Sequence, residues 1–381
     1  MLMLMLMKNS FLMLLLLLAG CKQVYEPPAI KAANHYLLVD GVINTLPDSK
    51  TTILLSKTRN LTDTFQTSPE LSAAIQIEAQ GGTTYSLQEG PSGTYSIDHL
   101  TLNAAQLYRL KIRTVDGEIY LSDFVSVKQT PTIDSLTWVQ NNGVAIYVST
   151  HDPLNKARYY RWDFIETWQY SSFLRANFGL GISNGLIFIK DQITQTSDCW
   201  MSGPSTEISL ANSVRLTQDV IDRFQIAVIP NNSEKMGIRY SVLVKQYALT
   251  EDAYAYWEIL QTNTQQLGTL FDAQPGQLKS NLHNISNPEE PVIGYVSACA
   301  VQEKRLFITH LDLINWDGSP PPEACQAMTI GQNPSNFLIW NYPDTTFQPW
   351  YFVTPDGLMI AKKDCLDCTR RGGKNQKPSF W

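Results

Sequence analysis

Tyr159-Tyr160-Arg161-Trp162-Asp163-Phe164-Ile165-Glu166-Thr167-Trp168 alternates large apolar and polar side chains. At a period of two, Tyr160, Trp162 and Phe164 share one face of a β-strand. Such an aromatic row serves as the core-facing side of a sheet. Upstream, Ile133–Val139 and Val144–Ser149 repeat the strand pattern, and downstream Phe224–Ile229, Ile238–Gln246, Val292–Val301 and Lys304–Ile308 continue it. Together these stretches predict a β-layered domain over residues 130–381.

A second series lies N-terminal to Thr130-Pro131, which marks the boundary. Its expected strands are Tyr36–Ile43, Thr51–Lys57, Ala74–Ala79, Thr83–Gln88, Gly93–Ile97, Leu107–Thr114 and Glu118–Val127. Gly81-Gly82, Gly90-Pro91-Ser92-Gly93 and Asp116-Gly117 punctuate them. Seven short strands in about 95 residues suit a β-sandwich of immunoglobulin or fibronectin size over residues 36–129. The fold class expected is therefore mainly β, with two sandwich domains. The second carries one helix, since Thr250 suits an N-cap, Glu251 and Asp252 suit the first turn, and Tyr254, Trp257 and Leu260 recur at helical spacing. That helix is expected over about residues 251–266, stopping near Gly268. From Asp312 to Trp381 the chain is rich in Pro, Asn and Gly and reads as an irregular wrap.

The N-terminus carries an address. Phe11–Ala19 is an almost unbroken apolar run, too short to span a bilayer, and it closes on Leu18-Ala19-Gly20-Cys21. That order is a lipoprotein signal over residues 1–20, with Cys21 as the lipidated new N-terminus. Lys8 is the only charge ahead of the run, so translation is expected to start at Met7. Residues 21–35 contain Pro27-Pro28 and lack periodicity, reading as a tether. Fully extended, the 14 residues after Cys21 reach roughly 45–50 Å. The chain is then anchored to a membrane without spanning it.

Loss of residues 1–20 removes one lysine and no acid, taking the net charge from −6 to −7. Mild acidity with no basic patch beside aromatics argues against nucleic acid as a partner. It also argues against electrostatic attraction to anionic lipid. Besides Cys21 there are five cysteines. An exported chain keeps disulfides, so Cys199, Cys325, Cys365 and Cys368 are expected to form two bridges, with connectivity open. Cys299, in the apolar run Val292–Ala300, is the expected buried free thiol. Cys365-Leu-Asp-Cys368 also has the spacing of half a zinc site, although no second C-x2-C or H-x3-5-H completes it. His310 and Cys325 could be recruited only by folding.

No standard catalytic pattern occurs: there is no G-x-S-x-G, H-E-x-x-H or P-loop, and Gly179–Gly185 misses dinucleotide spacing by one residue. His151-Asp152-Pro153, with Asp163 and Glu166 nearby, invites acid–base chemistry. Turn chemistry accounts equally for Asp152-Pro153, and Asp163 and Glu166 lie on opposite strand faces. No cofactor is implied. Trp168, Tyr170, Phe173, Phe178 and Trp200 flank the glycine-rich segment and are the candidate ligand-binding aromatics, because loops on rigid sandwiches often carry binding. Their alternative role is core packing.

Several stretches together resemble a Bacteroidetes lipoprotein family, domain of unknown function 4249. They are Leu37-Leu-Val-Asp-Gly-Val-Ile43, Tyr120-Leu-Ser-Asp-Phe124, Tyr159-Tyr-Arg-Trp-Asp163, Tyr240-Ser-Val-Leu-Val-Lys-Gln-Tyr247, Pro291-Val-Ile-Gly-Tyr-Val296 and Gly372–Trp381. The resemblance brings no catalytic residues. It implies an outer-membrane lipoprotein commonly encoded beside TonB-dependent, SusC-like β-barrels. The expectation is a non-enzymatic accessory or ligand-capture component, lipid-anchored to the outer membrane at the cell surface, with the periplasmic face as the alternative, its ligand unspecified. The alternatives are an envelope-assembly factor and, third, a hydrolase. Signals for surface display in that phylum tend to be acidic, and Lys22-Gln-Val-Tyr-Glu26 holds one acid.

Overall fold

The computed structural model describes residues 36–58, 68–175, 179–183, 186–190, 196–265, 278–317, 322, 325–326, 328–330, 347–353 and 357–381. Cys21, with the expected signal over residues 1–20 and tether over 21–35, and Phe178 and Gly268 lie outside these residues. The chain is mainly β. Its first lobe contains β1 (Leu37–Asn44), β2 (Thr51–Lys57), β3 (Ala74–Ala79), β4 (Thr94–Ile97), β5 (Leu107–Arg113), β6 (Ile119–Ser122) and β7 (Val125–Lys128). Alternation places Leu37, Val39 and Ile43 of β1 inward with Ile53 and Leu55 of β2. They join Ile75 and Ile77 of β3 and Leu110 and Ile112 of β5 in one buried core. The stretch expected as one strand over Glu118–Val127 is two. The switch occurs at Ser122, whose hydroxyl accepts from Leu110 N–H at 2.9 Å and donates to the Asp123 carbonyl at 2.9 Å. Beyond it, β7 changes partner: Val125 and Ser126 pair with β5, while Val127 and Lys128 pair elsewhere.

The second lobe contains β8 (Ile133–Gln140), β9 (Gly143–Asp152), β10 (Tyr159–Ser171), β11 (Asp198–Pro204), β12 (Ser209–Asn212), β13 (Asp219–Pro230) and β14 (Arg239–Ala248), then helix α1 (Glu251–Gln265). One sheet runs β8-β9-β13, and the other has β10 between β11 and β14, with β12 also on β10. Tyr160, Trp162 and Phe164 of β10 face the core, as their alternation predicts, and meet Val144, Ile146 and Val148 of β9. A buried amide organises this core. Trp162 Nε1–H donates to Gln246 Oε1 at 2.8 Å, and Gln246 Nε2 donates to the Pro131 carbonyl at 2.7 Å and to Thr150 Oγ1 at 3.0 Å. Helix α1 begins where expected, with Thr250 Oγ1 accepting from Ala253 N–H at 3.2 Å.

Beyond α1 the chain departs from its expected order. The stretch Val292–Val301, read as a strand of the second domain, returns to the first. Here β15 (Leu282–Asn284) pairs with β6, and β16 (Ser297–Cys299) inserts between β1 and β7, parallel to both. Parallel neighbours need a long crossover, and the intervening second lobe supplies one. The first lobe is therefore discontinuous, and the boundary at residue 129 omits its returning strands. At Gly294 (φ +139) a Cβ would meet the Val39 carbonyl oxygen at 2.2 Å, so only glycine lets the returning chain approach β1 this closely. The chain then re-enters the second lobe as β17 (Gln302–Thr309), which pairs with β14.

The C-terminal segment is more regular than an irregular wrap. β18 (Met328–Ile330), β19 (Phe347–Val353) and β20 (Gly357–Lys362) form a small sheet ordered β18-β20-β19. Disulfides Cys199–Cys368 and Cys325–Cys365 tie this segment together and to β11, and Cys299 is free and buried. The last residues add backbone pairing between Trp200 and Lys374 at 2.9 Å each way.

Candidate functional site

β10 has an outer face as well as a core face. Arg161 and Asp163 point there, and in register across the sheet they meet the outer residues of β14 and β17. One row runs Asp163, Lys245, Glu303; the next holds Arg161 beside Tyr247. β1 and β2 of the first lobe also have an outer face, where Asp40 lies opposite Leu54 and Val42 opposite Thr52. These two outer faces border a cleft of about 240 Å³ between the lobes, lined by Asp40, Lys50, Arg161, Asp163, Lys245 and Glu303 among others. Its apolar rim is a shared cluster in which Val42 of the first lobe packs with Tyr247, Leu249, Trp257 and Val301.

Arg161 is the buried charge among the residues that line this cleft. The residue is 8% exposed. Its guanidinium carbon lies 4.4 Å from the Tyr247 ring centroid and 4.0 Å from that of Trp257 on α1, both within cation–π range. Asp163 Oδ2 accepts from Nη2 over a long 3.4 Å, and Nε–H is buried with no acceptor. Lys245 pairs with Glu303 at 3.4 Å, and Lys50 with Asp98 at 3.7 Å. Burial, with Asp163 beside it, raises the Tyr247 phenol well above its usual value, so this ring stays neutral.

A second cavity, of about 290 Å³, opens between the two sheets of the second lobe, bordered by Glu166, Lys235 and Tyr240. Glu166 is ion-paired with Lys235 and accepts from the Tyr240 hydroxyl at 3.2 Å, and Lys235 lies over the Trp168 ring at 4.9 Å. These charges satisfy one another. Asp163 and Glu166 thus border different cavities on opposite faces of β10. His151 accompanies neither: it is an exposed surface residue whose Nδ1 is 2.8 Å from Asp134 Oδ2, and that hydrogen bond raises its pKa.

The aromatic candidates are placed differently from a ligand platform. Tyr170 is 2% exposed and its hydroxyl donates to the Cys368 carbonyl at 2.7 Å, so it is unavailable to a ligand. Trp168 is half-buried and packs against both the second-lobe core and the Cys199–Cys368 cluster. Phe173 is covered by the Arg371 guanidinium at 4.3 Å, and Trp200 meets Trp381 edge-on at 6.5 Å. Their common role is to seat the C-terminal tail. Cys365 and Cys368 are oxidised to different partners, which removes the thiolates a zinc site would need. Among the described residues no cluster of three His, Cys, Asp or Glu has metal-binding geometry.

Sequence reasoning singled out Asp163 but missed Arg161, Asp40 and Lys245 as a group. A signal was present, since all four fall within three of the stretches that carry the family resemblance. A model of the family described as Domain of unknown function (DUF4249) matches residues 22–305. No curated protein matches the chain.

Proposed function

The chain belongs to the domain of unknown function 4249 family, and on that footing we propose that it is a lipid-anchored accessory of an outer-membrane, TonB-dependent, SusC-like β-barrel, capturing a small ligand at the cell surface. The observation that carries this reading is Leu18-Ala19-Gly20-Cys21 after an apolar run, which makes Cys21 a lipid attachment point. Two disulfides in the folded body suit an oxidising compartment outside the cytoplasm. The tether gives that body room to stand clear of the headgroups and meet a neighbouring barrel. A cleft between two lobes suits capture, because opposing walls can each hold one end of a ligand. The docking partner is tested by extracting the tagged full chain in mild detergent and identifying what co-purifies. A TonB-dependent barrel at near-stoichiometric yield is expected; repeated recovery without any barrel sinks the docking. A general envelope defect on gene deletion, rather than a growth defect on one nutrient, would favour assembly over capture.

A further inference from the structure

The interlobe cleft has a charge pattern that selects a ligand class. Three cations (Lys50, Arg161 and Lys245) and three carboxylates (Asp40, Asp163 and Glu303) line it, so the site is balanced overall but polarised locally. Arg161 is held with Tyr247 and Trp257 within cation–π distance, yet it is short of acceptors. One hydrogen bond is stretched to 3.4 Å and Nε–H is buried without a partner. A guanidinium presents five donors in a fixed fork that matches a carboxylate, and a buried donor left without an acceptor is costly. Lys245 stands one row away on the same sheet face. Across the cleft, Asp40 projects from the outer face of β1, exposed and engaged in no salt bridge among the described residues. A dianion would gain Arg161 but meet three carboxylates, and a cation would meet the buried guanidinium. A molecule with one carboxylate and one ammonium satisfies both sides. The cleft volume of about 240 Å³ limits that molecule to amino-acid or dipeptide size.

We propose that the cleft between the lobes binds a small zwitterion, an amino acid or dipeptide, with its carboxylate on Arg161 and Lys245 and its ammonium on Asp40. The inference rests on the capture part of the proposed function and names the ligand class. It is tested by equilibrium dialysis of the full lipidated chain, in mild detergent, against a pool of the common L-amino acids and a pool of dipeptides. Retained compounds are identified by mass, and the two pools separate the two ligand sizes. Saturable retention of at least one zwitterion is expected, weakened tenfold or more by N-acetylation or C-amidation of that compound. The same loss is expected in Asp40→Asn and Lys245→Met, whose side chains are accessible enough to leave folding intact, as circular dichroism should verify. Arg161→Lys, which keeps charge but not the fork, should lose comparable affinity. Retention of nothing from either pool at millimolar concentration overturns the inference. So does equal binding of the blocked derivatives, or unchanged affinity in Asp40→Asn. Retention without a co-purified barrel keeps the cleft assignment and removes the docking; a barrel without retention does the reverse.

Discussion

Replacing both Cys199 and Cys368 by alanine isolates the long disulfide and leaves no new thiol. The bridge spans 169 residues. Loop-closure entropy of 2.1 + 1.5R ln n cal/mol/K then corresponds to about 5 kcal/mol at 25 °C. Retaining Cys325–Cys365 shortens the path by tens of residues, which the logarithm reduces to about 0.2 kcal/mol. For Cys325–Cys365, with a separation of 40, the same expression yields about 4 kcal/mol. The native tail should remain seated in either double variant, because Tyr170 still holds the residue-368 carbonyl and Trp200 still pairs with Lys374. The loss therefore arises in the unfolded ensemble. Urea unfolding of the second lobe, followed by tryptophan fluorescence, should show the 199/368 variant destabilised by about 3–5 kcal/mol. The 325/365 variant should lose about 1 kcal/mol less. A 199/368 loss below about 1 kcal/mol, or the reverse ranking of the two variants, would refute the entropic account.

Gln246→Leu should cost about 2–4 kcal/mol, because it leaves the buried Trp162 indole N–H and the Pro131 carbonyl without their partner. Thermal or urea unfolding checks this, and a loss under about 1 kcal/mol would show the amide to be dispensable. Burial pushes the Cys299 thiol up to about 12 from its usual 9.0. The folded chain holds that proton where the unfolded chain has released it, so the stabilisation is complete below pH 9 and is lost as pH rises towards 12. Native protein should resist iodoacetamide at pH 8 and take one label once denatured without reductant. Cys299→Ala should flatten the alkaline fall in stability; an unchanged slope would assign that fall to other groups.

Local pattern reached far into this fold. Thr51–Lys57 and Ala74–Ala79 are strands over the bounds their alternation predicts, and α1 starts at Glu251 as its N-cap requires. Apolar spacing at a period of two is a property of the strand itself, readable without knowing its neighbour. Partner choice has no such signal. Ser297–Cys299 reads as a strand from its apolar run, but nothing local says that it pairs in parallel with β1, more than 250 residues earlier. The tail shows the same limit, since its small sheet has weak alternation and its prolines and glycines suggested only loop.

The site follows the same division. Asp163 was visible as a polar residue on an aromatic strand, and its separation from Glu166 followed from strand parity. The disulfide cysteines were visible by count, while their connectivity was settled by where β11 begins and β20 ends. By itself the sequence determined where most strands and the helix begin and which face of each strand is apolar, because these depend on residues a few positions apart. Only the tertiary structure decided that β16 completes the first lobe, and that Asp40 faces Arg161 across a cleft. Those contacts join residues more than 100 positions apart, and it is the packing of two lobes against each other that brings them together.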